Sequence, residues 1–217
     1  GIGGLYNQEK TDEWLPIEVM LSYPTLVQKP ELCWKYISQL EASCRHALPN
    51  ATHKILAQLE AMRPHLWVLT QNVDGFHHQA GTKNLIEIHG NFETLYCMKC
   101  GASETVDNYA GLRLPPQCDG CGGIIRPKVI LFGEALPQKE THTLSTQLGL
   151  GFDLILSVGT TSSFPYIAQP IAQARMEGTP TVEINPTTTE VSHLVQIKLS
   201  MGAEDAFKAI WQEFKTL

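Results

Sequence analysis

Cys97, Cys100, Cys118 and Cys121 form two Cys-x-x-Cys pairs separated by 17 residues. That spacing lies within the range that reads as a zinc site. Each pair sends two thiolates from one tight turn towards a single metal, and Gly101, Gly120, Gly122 and Gly123 supply the turns. Four thiolates complete a tetrahedral zinc and leave no position for water or substrate, so the metal is expected to be structural. Two disulfides or an iron–sulfur cluster are the rival uses of such thiols. Structural zinc contributes roughly 10–16 kcal/mol in small peptides. A whole domain is stable by only about 5–15 kcal/mol. Loss of the metal should therefore unfold the lobe around it.

His89 lies eight residues before the first of these cysteines and is followed by Gly90. An imidazole titrates near pH 6.5, so His89 can serve as a base at neutral pH. A satisfied structural histidine is the plainer alternative; a zinc ligand is unnecessary when four thiolates are present. The other seven histidines, His77 and His78 among them, read as helix or surface residues. Thr70-Gln71-Asn72-Val73-Asp74-Gly75 gathers two amides and a carboxylate, which can orient a ribose or carboxamide or simply build an Asx turn. In Gly159-Thr160-Thr161-Ser162-Ser163, backbone N–H groups at a helix start can hold phosphate or ribose oxygens, although Thr and Ser also serve as ordinary caps. The generic G-x-G-x-x-G dinucleotide signature is absent from that loop. Arg126 to Glu134, RPKVILFGE, reads as a strand running into a glycine turn.

Elements must be found to carry these groups. Apolar spacing predicts helices from Pro30 to about Leu48, after an Asn50 cap, near 137–148, from Tyr166 to Met176 and from Ala203 to Phe214. Short apolar runs predict strands at 66–70, 85–88, 128–132, 154–158 and 181–184, with an alternating stretch at 195–199. Residues 1–29 read as irregular and 91–127 as a ribbon of short strands. Buried strands alternating with helices imply an α/β chain with a parallel sheet covered on both faces. In such sheets ligands sit beyond the carboxyl ends of the strands. Gln71-Asn72, His89, Gly159-Thr160 and Asn185 all follow predicted strands.

The chain has 217 residues, 43% hydrophobic and 18% charged, and so can bury a sizeable core. No apolar run reaches the roughly 18 residues a membrane helix needs. The net charge of −6 disfavours broad binding to phosphate backbones, so neither nucleic acid nor membrane is an expected partner. Thiolate metal sites without a disulfide framework point to a reducing, cytoplasmic setting. Cys33 and Cys44 read as buried free thiols.

Six segments occur here in one order: TQNVDGFHHQAG (70–81), IHG (88–90), the paired cysteine knuckles, RPKVILFGE (126–134), VGTTSS (158–163) and VEIN (182–185). In this order they resemble the sirtuins, the NAD-dependent protein lysine deacylases. PNATHKILAQLE (49–60) is similar to that family's helical insertion. The resemblance implies a Rossmann-like parallel-sheet domain (59–92 with 126–217) and a smaller lobe made of a zinc ribbon (93–125) and a helical insertion (1–58), with peptide and NAD entering the cleft from opposite sides. It places Gln71 and Asn72 at the nicotinamide ribose and Asp74 in the nicotinamide pocket. It places Gly159, Thr160 and Thr161 at cofactor phosphate and ribose, Asn185 at the adenosine ribose and Ala203 near adenine. His89 becomes the general base, and Val129, Ile130, Leu131, Phe132, Gly133 and Glu134 pair with the substrate peptide as an added strand. The implied reaction moves the acyl group from lysine to ADP-ribose and releases nicotinamide, with His89 taking a proton from a ribose hydroxyl.

Two departures accompany the resemblance. The family's Gly-Ala-Gly loop and Phe-Arg pair precede the point where this sequence begins, which is expected to reflect truncation. Family members that prefer succinyl or malonyl groups carry Tyr-x-x-Arg where this chain has Ile37 and Leu40, so acetyl or other apolar acyl groups are expected. A mono-ADP-ribosyltransferase and a non-catalytic module that binds NAD or a partner are the alternative functions. Oligomeric state and protein substrate are not specified.

Overall fold

The computed structural model describes residues 15–216, and the expectations for residues 1–14 lie outside the described residues. In chain order the elements are α1 (Ile17–Met20), α2 (Tyr23–Gln28), α3 (Pro30–Cys44), α4 (Ala51–Met62), β1 (Val68–Thr70), α5 (Phe76–Gln79), β2 (Leu85–Glu87) and β3 (Gly90–Cys97). They continue with β4 (Ser103–Thr105), β5 (Ile125–Val129), α6 (Gln138–Leu150), β6 (Ile155–Val158), α7 (Pro165–Glu177), β7 (Thr181–Ile184), β8 (Ile197–Leu199) and α8 (Ala203–Phe214). This is the expected mixed α/β architecture with parallel strands. No helix among the described residues is long and apolar enough to cross a membrane.

Three local expectations are corrected. Residues 15–29 are not irregular: they form α1 and α2. Ser22 caps α2 by accepting the Thr25 N–H, and Pro24 sits in its first turn, where a missing N–H costs nothing. α3 ends at Cys44, short of Leu48, because Pro49 disfavours helical geometry at Leu48 and Asn50 starts α4 with a side-chain cap to His53. The strand expected at 128–132 lies at Ile125–Val129 and runs antiparallel to β3, pairing Tyr96 with Arg126 and Cys97 with Ile125. Beyond Val129 the chain leaves that ladder: Ile130 donates to the His89 carbonyl at 2.9 Å, and Phe132 bridges to Ser22.

The described residues divide into two compact units. The first comprises 15–48, 67–79 and 85–141. It holds the parallel pair β1–β2 and the antiparallel sheet β4-β3-β5. Its core gathers Cys33, Trp34, Tyr36 and Ile37 of α3 with Phe92, Leu95, Tyr109, Val129 and Leu131. Trp34 meets Tyr109 edge-on at 5.4 Å and donates its indole N–H to the Ile125 carbonyl at 3.0 Å. That buried polar tip is thereby satisfied.

The second unit comprises 49–66, 80–84 and 142–216. Its parallel sheet has the order β6-β7-β8, and Ile55, Ile184, Ala206 and Phe207 form the centre of its core. Glu60 of α4 is buried and accepts the N–H groups of Lys83 and Asn84, closing the 80–84 loop onto its own helix. Glu183 of β7 is fully buried; Lys198 Nζ reaches its Oε2 at 2.7 Å, and Ser192 and Thr189 donate hydroxyls to the same carboxylate.

Burial raises the Glu183 pKa, but the hydrogen bonds from Lys198, Ser192 and Thr189 outweigh it and hold the carboxyl below its ordinary 4.5. A carboxyl with a depressed folded pKa stabilises fully above its unfolded value and stops doing so as pH falls through the folded value. Unfolding free energy should thus decline as pH drops below about 4.5. Lys198→Met, which strands a buried carboxylate, should cost about 3–5 kcal/mol at neutral pH. Urea midpoints measured across the acid range for both proteins check the two expectations.

Candidate functional site

Parallel pairing places the carboxyl ends of β1 and β2 side by side, with Thr70 opposite Glu87 and the Ile88 N–H on the Thr70 carbonyl at 3.1 Å. His89 follows directly and is held from its other side by Ile130. Gly90 has φ +74°, and any Cβ there would overlap the Lys128 carbonyl oxygen, so only glycine lets β5 approach this closely. Burial lowers the His89 pKa below 6.5, partly offset by a hydrogen bond with the Gln71 backbone. A backbone group that favours the protonated ring is a carbonyl, so one ring nitrogen carries the N–H that faces Gln71. The other nitrogen of the neutral ring remains an acceptor.

The Thr70–Gly75 turn organises itself as well as the histidine. Thr70 Oγ1 accepts the Asn72 N–H at 3.1 Å, and Asp74 Oδ1 accepts the Phe76 N–H at 3.0 Å at the start of α5. Asp74 is therefore an Asx turn residue with one oxygen committed, and Asn72 is exposed. The role of the Gln71 carbonyl leaves no trace in residue type, since every residue carries one.

The four cysteine sulfurs lie within 4.8 Å of one another, with Cys97 to Cys121 at 3.5 Å and Cys100 to Cys118 at 3.8 Å. Zinc–sulfur bonds of about 2.3 Å set tetrahedral sulfurs about 3.8 Å apart. Disulfide sulfurs would lie at about 2.05 Å. One tetrahedral ion fits this cage, and the cysteines are free thiols. A Cβ at Gly123 would come within 2.8 Å of Cys97 Sγ, which requires glycine beside the metal.

The sheet strand that leaves this cage carries Arg126, which is 1% exposed. Its Nη1 and Nη2 grip the two Glu134 oxygens at 2.6 and 2.8 Å, and Nη2 also reaches the Val129 carbonyl at 2.6 Å. Glu134 Oε2 takes the Leu131 N–H at 2.7 Å. The N–H groups of Ile130, Leu131, Phe132 and Glu134 are thus all engaged within the chain. The 129–134 segment is a braced turn, narrower in its free hydrogen-bonding groups than a bare strand edge. The Arg126–Glu134 pair was not foreseen. A guanidinium inside an apolar strand is the signal, because arginine is rarely fully buried unless paired.

In the second unit β6 and β7 are parallel, which sets Gly159 beside Asn185, and Gly159 N–H binds the Ile184 carbonyl at 2.9 Å. Asn185 is buried; its Nδ2 donates to the Thr160 carbonyl and its Oδ1 accepts from Thr187. It laces two loops together. Thr161 accepts the Glu190 N–H through its carbonyl, and Ser162 adopts φ +55° with its hydroxyl buried and unpartnered. Ala203 opens α8 after Gly202.

Comparison with known proteins accounts for this combination. The Sir2 family model matches residues 1–164, and the chain belongs to that family. It is 49% identical over 208 residues to NAD-dependent protein deacylase 2 of Pseudomonas aeruginosa, covering 94% of this chain and 81% of that one. It is 30% identical over 211 residues to the NAD-dependent protein deacylase of Aquifex aeolicus, covering 97% and 85%. Among solved structures, a Sir2 homologue–NAD complex aligns with a TM-score of 0.87 at 27% identity, covering all (100%) of this chain and 82% of that one. Sir2 bound to acetylated peptide aligns at 0.82 with 27% identity, covering 90% and 83%.

Removing zinc with a chelator should raise amide hydrogen exchange throughout β3, β4 and β5. Cys118→Ser should do the same without chelator. Exchange in these strands that is indifferent to metal content would contradict a structural zinc.

Proposed function

We propose that this chain removes acetyl, or other apolar acyl, groups from protein lysines with consumption of NAD, and that His89 is its general base. NAD supplies the ribose that accepts the acyl group, so the products are free lysine, nicotinamide and O-acyl-ADP-ribose. What carries the reading is the His89 ring: half-buried at the carboxyl end of β2, hydrogen-bonded to the Gln71 backbone, and held by burial below its ordinary pKa of 6.5, so that it is a neutral base at pH 7. The Gly159–Ser163 loop suits the cofactor's oxygens. It offers a buried, unmatched Ser162 hydroxyl in a turn that Gly159 enters at φ +60°, with open space where a Cβ would stand. By their match to the family's motifs, Gln71, Asn72, Asp74, Gly159, Thr160, Thr161, Asn185 and Ala203 are assigned to the cofactor. Residues 59–92 and 126–217 are assigned to the cofactor-binding domain, residues 93–125 to its metal-braced neighbour and residues 1–58 to the helical part of that smaller lobe. A reducing, cytoplasmic setting agrees with four free metal-binding thiols.

Mass spectrometry of an acetyl-lysine peptide, with and without NAD, tests the activity directly. Transfer of labelled ADP-ribose to protein without loss of acetyl would favour the transferase alternative. His89→Ala should lower turnover by at least about 10²-fold, the smaller end of general-base assistance, while circular dichroism and the thermal midpoint stay near wild type. Because burial holds the His89 pKa below 6.5, kcat/KM should be level at neutral pH and fall only as pH drops through that lower value.

Ile37 is buried and Leu40 partly buried in the first unit's core. Neither can pair with an acidic acyl group. An acetyl-lysine peptide should therefore show a higher kcat/KM than its succinyl counterpart, and the reverse order would refute the apolar preference.

A further inference from the structure

A groove of about 640 Å³ opens beside the 129–134 turn, lined in part by Tyr23, Tyr96, Lys128, Ile130, Gly133 and Glu134. Its charges are unequal in availability. Arg126 and Lys128 are two residues apart on β5 and so stand on one face of it. Arg126 is buried, spent on Glu134, and stacked over the Tyr96 ring at 5.7 Å. Lys128 is exposed and forms no ion pair among the described residues. The carboxylate of the lining is thus neutralised from beneath, and the ammonium is not. The groove presents one uncompensated positive charge on a lining that also holds two phenol rings.

We infer that Lys128 is a specificity-determining residue that favours acyl-lysine sites flanked by an acidic side chain. The inference rests on the reading that the peptide docks along 129–134, and it adds the class of sequence selected there. The chain's net charge of −6 would by itself repel an acidic peptide. At physiological ionic strength, however, exposed charges are screened beyond about 8 Å. A contact ammonium outweighs distant carboxylates under those conditions. The preference is modest, because exposed ion pairs alter equilibria by only about two- to fivefold.

The test uses the intact protein with NAD and a family of acetyl-lysine peptides. The reference peptide carries uncharged flanks, and each other peptide places a single Glu or a single Lys at one flanking position. The quantity read is the ratio of kcat/KM for Glu over Lys at each position, taken within each protein variant. Wild type should show a ratio of about two to five at one position or more, shrinking as salt is raised. Lys128→Arg should retain it, Lys128→Met should bring it close to unity and Lys128→Glu should invert it. A ratio that does not respond to residue 128 at any position overturns the inference and leaves the deacylase reading standing. Failure of wild type to deacetylate the uncharged reference overturns the reading itself, and the inference with it.

Discussion

The bidentate contact between Arg126 and Glu134 is the interaction on which the first unit's geometry turns. Arg126 enters the sheet through its register with Tyr96, one residue before the first metal-binding cysteine. Its guanidinium then fixes Glu134 and the Val129 carbonyl. The metal cage and the 129–134 turn are thereby parts of one braced object. A buried ion pair of this kind is weak evidence of net stability, since two charges lose their hydration to form it. Its value is conformational. With Glu134 gone, Arg126 is a buried charge without compensation, and the turn loses the carboxylate that satisfies its own Leu131 N–H.

From that turn the constraint passes to the histidine. Ile130 holds the His89 carbonyl, Thr70 holds the neighbouring Ile88, and Gln71 holds the ring. The first two contacts fix the backbone of 88–89 and the third engages the ring, and preorganisation of this sort is what general-base chemistry requires. The histidine is partly shielded, and that shielding is also what keeps it neutral. One structural fact thus sets both its position and its protonation state.

Much of this was legible in the residues because the decisive geometry is local. Two Cys-x-x-Cys turns define a metal cage with little reference to the rest of the chain. The α8 range follows from its apolar periodicity, and His89 is marked by its place after a short apolar run. What was hidden depends on distant pairing or on main-chain atoms. β5 begins three residues earlier than its apolar run because its partner, Cys97, lies 28 positions upstream of Ile125 and sets the register. α2 was masked by Pro24, which breaks helices in their interior but suits their first turn. The orienting carbonyl of Gln71 has no sequence signature at all. The Arg126–Glu134 pair spans eight residues and appears only once the turn between them is folded.

Gly90 carries a consequence for how this protein can change over generations. Most crowded positions in a protein can be rescued, because a bulky neighbour can be trimmed to make room. Here the obstacle is the carbonyl of residue 128, an atom that every amino acid brings with it. No second-site suppressor acting through a smaller side chain can relieve the overlap. The codon at 90 is closed to drift unless the backbone of two strands moves together, and the catalytic candidate beside it would move with them.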